Sequence, residues 1–191
     1  MESVDPDPEI AALTHFWCPP AALLYRREIV ERIGSWSKDL PIIQDARFLM
    51  DAALQRARFA HVPGVGAYYR VHGHSLSRAN ASAFLRDCLE NAVQVEEFWR
   101  QNGGLTDERA NAVLQVLSYV TRATFKTDHE TFCRALSFAR RIRPGWFPKG
   151  SRSFRLLSSV VGYPRSESGA LAYRSLKRLL CGLNLSARTS D

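Results

Sequence analysis

The stretch that decides the fold class runs from residue 21 to residue 78 and reads AALLYRREIVERIGSWSKDLPIIQDARFLMDAALQRARFAHVPGVGAYYRVHGHSLSR. Three short apolar runs in it predict β-strands: residues 23–25, 59–62 and 66–72. Between the first two runs, apolar side chains recur at helical spacing within residues 29–33 and 48–53. Strands that alternate with helices in this way predict an α/β fold.

The order of these segments resembles the second half of the catalytic domain of glycosyltransferase family 2. The resemblance covers about residues 20–78 and includes the "RRE" at 26–28, the "IGSW" at 33–36 and the "YYRVHGHSLSR" at 68–78. It implies an incomplete GT-A core, which is Rossmann-like, followed by a helical bundle. It also implies inverting transfer of a sugar from a nucleotide-diphosphate donor to a glycan or lipid-linked acceptor, with a divalent cation (Mg²⁺ or Mn²⁺) in the complete enzyme.

Asp45, at the predicted start of the helix that contains residues 48–53, is the candidate catalytic base. A carboxylate within hydrogen-bond reach can take the proton of an attacking hydroxyl, and the helix macrodipole favours its ionised form by roughly 0.3–1 kcal/mol. Position alone favours a simple helix cap, whereas the resemblance places the acid of the family at Asp45. Gln44 stands where the family usually has Glu, and is a candidate substrate contact that cannot accept a proton.

Three further residues are candidates for substrate or metal binding. Trp36 lies in the loop before Asp45, where it would either stack on an acceptor sugar or anchor the loop. Arg70 would either bind a diphosphate as a bidentate fork or pair with an acid such as Asp45 or Asp51. The resemblance implies that His72 is a metal ligand, and the alternative is a hydrogen-bonded structural residue.

The amino-terminal residues contain Asp5-Pro6-Asp7, which matches the Asp-x-Asp metal motif of nucleotide-sugar transferases. Only four residues precede it, not a buried apolar strand, so the pattern favours a turn or a helix start. The sequence also shows no Gly-rich phosphate loop and no strands that would bind the nucleotide. We therefore expect a partial or truncated transferase chain, inactive alone.

The chain after residue 78 has helical periodicity and then becomes basic. Residues 79–143 predict an antiparallel extension of three helices, and Pro144 begins a tail with two short helices near 152–161 and 169–183. We therefore expect three domains, residues 1–78, 79–143 and 144–191.

The positive charge of the chain is concentrated in its tail. Residues 1–142 hold 17 basic and 17 acidic residues, whereas residues 143–191 hold 9 basic and 2 acidic residues. Such a tail would dock on an anionic membrane surface through residues 145–185, or it would pack its leucine stripe on the bundle. Nucleic acid is a less favoured partner, because few aromatic residues lie among the cations. The alternative function is therefore a non-catalytic helical protein that docks on an anionic membrane or a protein partner through this tail.

Composition favours an ordinary globular protein of the cytoplasm. The chain is 46% hydrophobic and 24% charged, and we expect neither a signal peptide nor a membrane span. Four scattered cysteines without a Cys-x-x-Cys pair indicate thiols in a reducing compartment. We predict a cytoplasmic protein, peripheral at the inner face of the membrane if the tail docks there.

Overall fold

The computed structural model describes residues 4–68, 70 and 76–173, and most of them are helical. The helices are α1 (Pro8–Thr14), α2 (Arg27–Ile33), α3 (Gln44–Leu54), α4 (Leu76–Ala79), α5 (Ala81–Gln101), α6 (Asp107–Thr124), α7 (His129–Ile142) and α8 (Arg152–Val161). A 3₁₀ turn at Pro20–Ala22 and further helical residues at 163–173 complete the regular structure of this part of the chain.

The predicted α/β fold is wrong, because no β-strand and no sheet occur in the described residues. The runs 23–25 and 59–62 are not strands, and neither are residues 66–68 and 70 of the third run. A strand is stable only when its N–H and C=O groups pair with a neighbouring strand. The described part of the chain supplies no such neighbour, so a Rossmann-like GT-A core is not seen in it.

The three helices predicted in residues 79–143 are confirmed, and local signals mark their ends. Thr106 caps α6 by accepting a hydrogen bond from the amide of Arg109 (3.3 Å), and Asp128 caps α7 by accepting from the amide of Thr131 (3.1 Å). Gly103 follows α5 with a φ of +103°, which a residue with a Cβ rarely adopts. These local signals set the boundaries of the three long helices.

The core lies where α5, α6 and α7 pack side by side, with α1 against α3 and α6. Buried side chains from all five helices belong to one cluster: Leu13, Met50, Leu54, Leu89, Ala92, Val95, Trp99, Ala112, Val113, Leu114, Leu117, Val120, Ala135, Phe138 and Ala139. Since α1 and α3 share this cluster with the predicted helical extension, the bundle supports the start of α3, where Asp45 lies.

A polar contact joins α1 to the bundle. The Oε2 atom of Glu9 accepts hydrogen bonds from Nε1 of Trp99 (2.6 Å) and from Nη2 of Arg109 (3.0 Å). The Arg109 guanidinium also lies over the Trp99 ring, 5.2 Å from its centroid. One carboxylate thus satisfies a buried indole N–H and a cation at the same time.

The chain forms two compact units, Met1–Pro148 and Lys149–Asp191. In the second unit, α8 ends at Gly162, where φ is +85°, and helical structure resumes at residue 163. The second tail helix therefore begins earlier than the predicted residue 169, and its predicted end near 183 lies outside the described residues. No helix within the described ranges is long and apolar enough to cross a membrane.

Candidate functional site

The loop before α3 is held in place by two buried side chains and by a hydrogen bond to α5. Leu40 and Ile43 are buried. Between them, the amide of Ile42 donates a hydrogen bond to Oδ2 of Asp87, on α5, at 2.8 Å. A half-buried backbone donor is thereby satisfied by a side chain 45 residues away. This hydrogen bond holds the start of α3 against α5.

A second polar contact ties the middle of α3 to α5. Arg47 pairs with Asp51 one turn later (Nε to Oδ1, 2.8 Å), and its Nη1 donates to Oδ1 of Asn91 (3.2 Å) and Oε1 of Gln94 (2.6 Å). Burial raises the pKa of Asp51, and the Arg47 guanidinium opposes that rise. Arg47 therefore fixes the rotation of α3 about its own axis relative to α5. This rotation sets the direction in which Gln44 and Asp45 face.

Asp45 lies in the first turn of α3, half-buried, and forms no ion pair with a described residue. Its Oδ1 accepts from the adjacent amide of Ala46 at 2.9 Å. Burial, with electrostatic repulsion from Cys18 and Asp45 adding to it, raises the pKa of Tyr25 to about 12, so the Tyr25 hydroxyl near this carboxylate stays protonated. Asp45 therefore offers a candidate base: a partly exposed carboxylate in the first turn of a helix.

Three aromatic rings pack together around Phe48, on the same helix as Asp45. The Trp36 ring stacks on Phe48 with centroids 5.5 Å apart and an interplanar angle of 20°, and Tyr25 meets Phe48 edge-on at 5.2 Å. Phe48 covers one face of the Trp36 ring, yet 45% of Trp36 remains exposed. The indole is therefore partly packed and partly exposed, so both uses predicted for Trp36, anchoring the loop and stacking on a ligand, are compatible with this arrangement.

Gln44, Asp45 and Trp36 line one cavity of about 720 Å³. Its other lining residues come from the amino-terminal segment, the loop before α3, α4 and the bundle: Ala12, Leu13, Trp17, Pro20, Pro41, Ile42, Ile43, Ala46, Leu76, Ser77, Arg78, Phe84, Cys88, Asn91 and Val116. A cavity of this size with aromatic walls and a few polar groups is typical of small-molecule sites.

The other predicted site residues are not brought to this cavity by the described structure. Arg70 is exposed and is absent from the cavity lining, and Asp51, one of its two proposed partners, pairs with Arg47 instead. His72 lies outside the described residues. Among the residues that the structure places, no group of three His, Cys, Asp or Glu side chains could hold a metal ion.

The Asp-x-Asp sequence near the amino terminus is a helix start, as its surroundings predicted. Asp7 is the N-cap of α1, and its Oδ1 accepts from the amides of Glu9 (2.9 Å) and Ile10 (3.2 Å). These hydrogen bonds satisfy two of the free N–H groups of the first helical turn.

The thiols near the cavity are poor nucleophiles. Burial, with the Asp87 carboxylate adding to it, raises the pKa of Cys88 to about 12, and burial also raises the pKa of Cys18. Since only the thiolate is reactive, neither cysteine supports covalent catalysis at neutral pH.

Sequence analysis missed Trp17, Arg78 and Asn91 as lining residues. Trp17 precedes the resemblance, and Asn91 lies on α5, far along the chain from Asp45. Of these three residues, only Arg78 belongs to a motif that carries the resemblance, since it ends the "YYRVHGHSLSR" stretch. Its guanidinium gives the cavity a group that can bind phosphate or carboxylate oxygens.

Comparison with known proteins adds no relative to this description. No family model, no curated protein and no solved structure matches the chain. A function for this chain therefore has to be inferred from the sequence pattern of residues 20–78 and from the cavity to which they contribute Trp36, Gln44 and Asp45.

Proposed function

We propose that this cavity is the acceptor site of a sugar-transfer reaction and that Asp45 is its base. The observation that carries the proposal is the Asp45 carboxylate, which forms no ion pair with a described residue and lines a cavity of about 720 Å³ together with Trp36, a residue that is 45% exposed. Sugar rings stack their C–H faces on indoles, and Gln44 supplies a neutral amide for a sugar hydroxyl. The resemblance of residues 20–78 to glycosyltransferase family 2 supports the same assignment.

In the proposed reaction the acceptor hydroxyl attacks the anomeric carbon of a nucleotide-diphosphate sugar. Asp45 takes the hydroxyl proton while the new C–O bond forms. The bond from the anomeric carbon to the diphosphate oxygen breaks, its electron pair leaves with the nucleoside diphosphate, and the configuration inverts. Arg78, in the same lining, is the side chain suited to the developing negative charge on the diphosphate.

The described cavity does not fit a divalent cation. Mg²⁺ and Mn²⁺ prefer several oxygen ligands, including carboxylates, and Asp45 is the one carboxylate among the lining residues. We assign no step to a metal and none to His72.

The three described cysteines are free thiols, which supports a cytoplasmic location for the proposed reaction.

Titration of the full chain with a panel of mono- and disaccharides, followed by tryptophan fluorescence and by NMR, tests the acceptor site. We expect at least one sugar to bind, and we expect Trp36→Ala to weaken binding roughly ten-fold through loss of the stacking platform. Tyr119→Ala is the control, because Tyr119 is also exposed but is absent from the cavity lining. If no sugar binds at millimolar concentration, the proposal is refuted.

A second experiment tests the base. Because the chain alone is expected to be inactive, transfer from uridine-diphosphate sugars is assayed with the missing nucleotide-binding half supplied as a second chain. Asp45→Asn should then lower sugar transfer roughly 10²–10⁴-fold and leave acceptor affinity within a few-fold. Asp39→Asn is the matched control, since Asp39 is an exposed acid of the preceding loop that is not part of the lining. Transfer that survives Asp45→Asn would exclude Asp45 as the base.

A further inference from the structure

The helix α8 presents its apolar side to solvent. Leu156, Leu157, Val160 and Val161 lie at i, i+1, i+4 and i+5, which places them on one side of the helix. Their side chains are 69%, 46%, 75% and 36% exposed. We call these four residues the α8 stripe. A continuous row of aliphatic side chains in contact with water indicates a surface that a partner covers.

The packed side of α8 is a different one. Phe154 meets the Tyr163 ring edge-on with centroids 6.2 Å apart, and Ser158 is buried. The helix start is fixed by Ser151, whose Oγ accepts from the amide of Phe154 at 3.2 Å. The stripe is therefore exposed on a helix that has its own cap and its own packing contact.

The charges around the stripe are positive. Arg152 and Arg155 lie on α8, one turn or less before Leu156, and both are exposed, as is Arg165 on the following helical residues. The acid in this described part of the second unit, Glu167, is buried. An approaching surface therefore meets aliphatic groups flanked by cations and no exposed carboxylate of the described residues 149–173.

We propose that α8 binds the surface of an anionic membrane. The α8 stripe would enter the boundary between headgroups and acyl chains, while Arg152 and Arg155 contact lipid phosphates. Aliphatic side chains favour a lipid surface over nucleic acid, whose bases stack on aromatic rings. This inference goes beyond the sugar-transfer proposal and does not depend on it.

Vesicle co-sedimentation of the full chain tests the membrane inference. We expect binding to vesicles of which half the lipid is phosphatidylglycerol and half phosphatidylcholine, weaker binding to phosphatidylcholine alone, and release by high salt. Val160→Glu should lower partitioning to the anionic vesicles about ten-fold or more, because it replaces an aliphatic group that would be buried in the lipid with a charged one. Arg152→Gln and Arg155→Gln should each lower it about five-fold, and both together about 25-fold.

The control is Val62→Glu, which places the same charge at an equally exposed valine in the first unit. It should leave partitioning unchanged, and circular dichroism should show that all variants keep their helix content. Failure of the wild-type chain to bind the anionic vesicles would overturn the inference. So would equal losses for Val62→Glu and Val160→Glu, which would place the lipid contact elsewhere or point to a protein partner for α8.

Discussion

The bundle helices and the extended segments around residues 23–25 and 59–68 are similarly rich in apolar residues, yet the structure treats them in opposite ways. Leu117, on α6, is 0% exposed, whereas Leu24 is 100% exposed. In the segment 59–68, Val62, Val65 and Tyr68 are also largely exposed. The difference does not come from hydrophobicity, since leucine occupies both kinds of position.

The difference lies in where the backbone finds its hydrogen bonds. A helix pairs its own N–H and C=O groups four residues apart. To be stable, α5, α6 and α7 therefore require only that each has an apolar face and packs it against the other two. A strand pairs with a second strand, and the described residues provide none for 23–25 or 59–68. Most apolar residues on the inner faces of the long helices are thus buried in this unit, whereas Leu24, Val62, Val65 and Tyr68 remain at the surface.

A matched pair of leucine substitutions gives the sharpest test of this comparison. Leu117→Ala should lower the free energy of unfolding by about 2–5 kcal/mol, because it opens a cavity in the core. Leu24→Ala should change the free energy of unfolding by less than about 0.5 kcal/mol, because the side chain is already in water. Urea denaturation followed by circular dichroism measures both. A large loss for Leu24→Ala would show that the extended segment is covered in solution.

The polar contact of α1 should have the next largest effect. Glu9→Gln removes the negative charge that accepts from Trp99 and Arg109, so we expect a loss of about 1–2 kcal/mol in the free energy of unfolding. Glu97→Gln is the control, since Glu97 is exposed and its carboxylate accepts only a long hydrogen bond from Gln101 (3.4 Å) in the same helix. Equal stability of the two variants would mean that apolar burial alone holds α1.

The smallest expected effect lies at the start of α7 and depends on pH. The hydrogen bond from the Thr131 amide, then that from the Thr131 hydroxyl, and Arg86 lower the pKa of Asp128 below its ordinary value of 3.8. Its ionised form is therefore favoured by folding, and this contribution is complete above the ordinary pKa and disappears as the pH falls through the folded-state pKa.

Asp128→Asn keeps a good N-cap, so at pH 7 it should cost less than about 1 kcal/mol. Between pH 5 and pH 2 the variant should lose stability less steeply than the wild type, as measured by urea denaturation across that range. Asp39→Asn serves as the control for general acid effects. Parallel pH profiles for Asp128→Asn and the wild type would contradict the assigned role of Asp128.

The sequence was sufficient for the helices because their signals are local. Thr106, Asp128 and Gly103 each lie within a few residues of the end that they mark. It was not sufficient for the strands, because an apolar run of three or four residues does not state whether a neighbour will pair with it. The strands predicted at residues 23–25 and 59–62, and in the described residues 66–68 and 70 of the third run, failed for that reason.

The candidate site divides in the same way. Trp36, Gln44 and Asp45 were predicted from the resemblance and, for Asp45, from its place at a helix start. They lie within ten residues of one another along the chain, and the structure places all three in one cavity lining. Trp17 and Asn91 reach that lining through packing of α1 and α5 around α3, which depends on contacts such as Ile42 to Asp87 across 45 residues. No local pattern contains that information.

The hydrogen bond from the Ile42 amide to Asp87 has a practical consequence. The amide proton of Ile42 can exchange with deuterium only when the loop detaches from the Asp87 carboxylate. The exchange rate of this one amide therefore reports how often the loop before α3 opens. A molecule seated against Asp45 would slow that exchange without touching the amide itself. A single backbone proton thus offers a way to detect an occupant before its chemical identity is known.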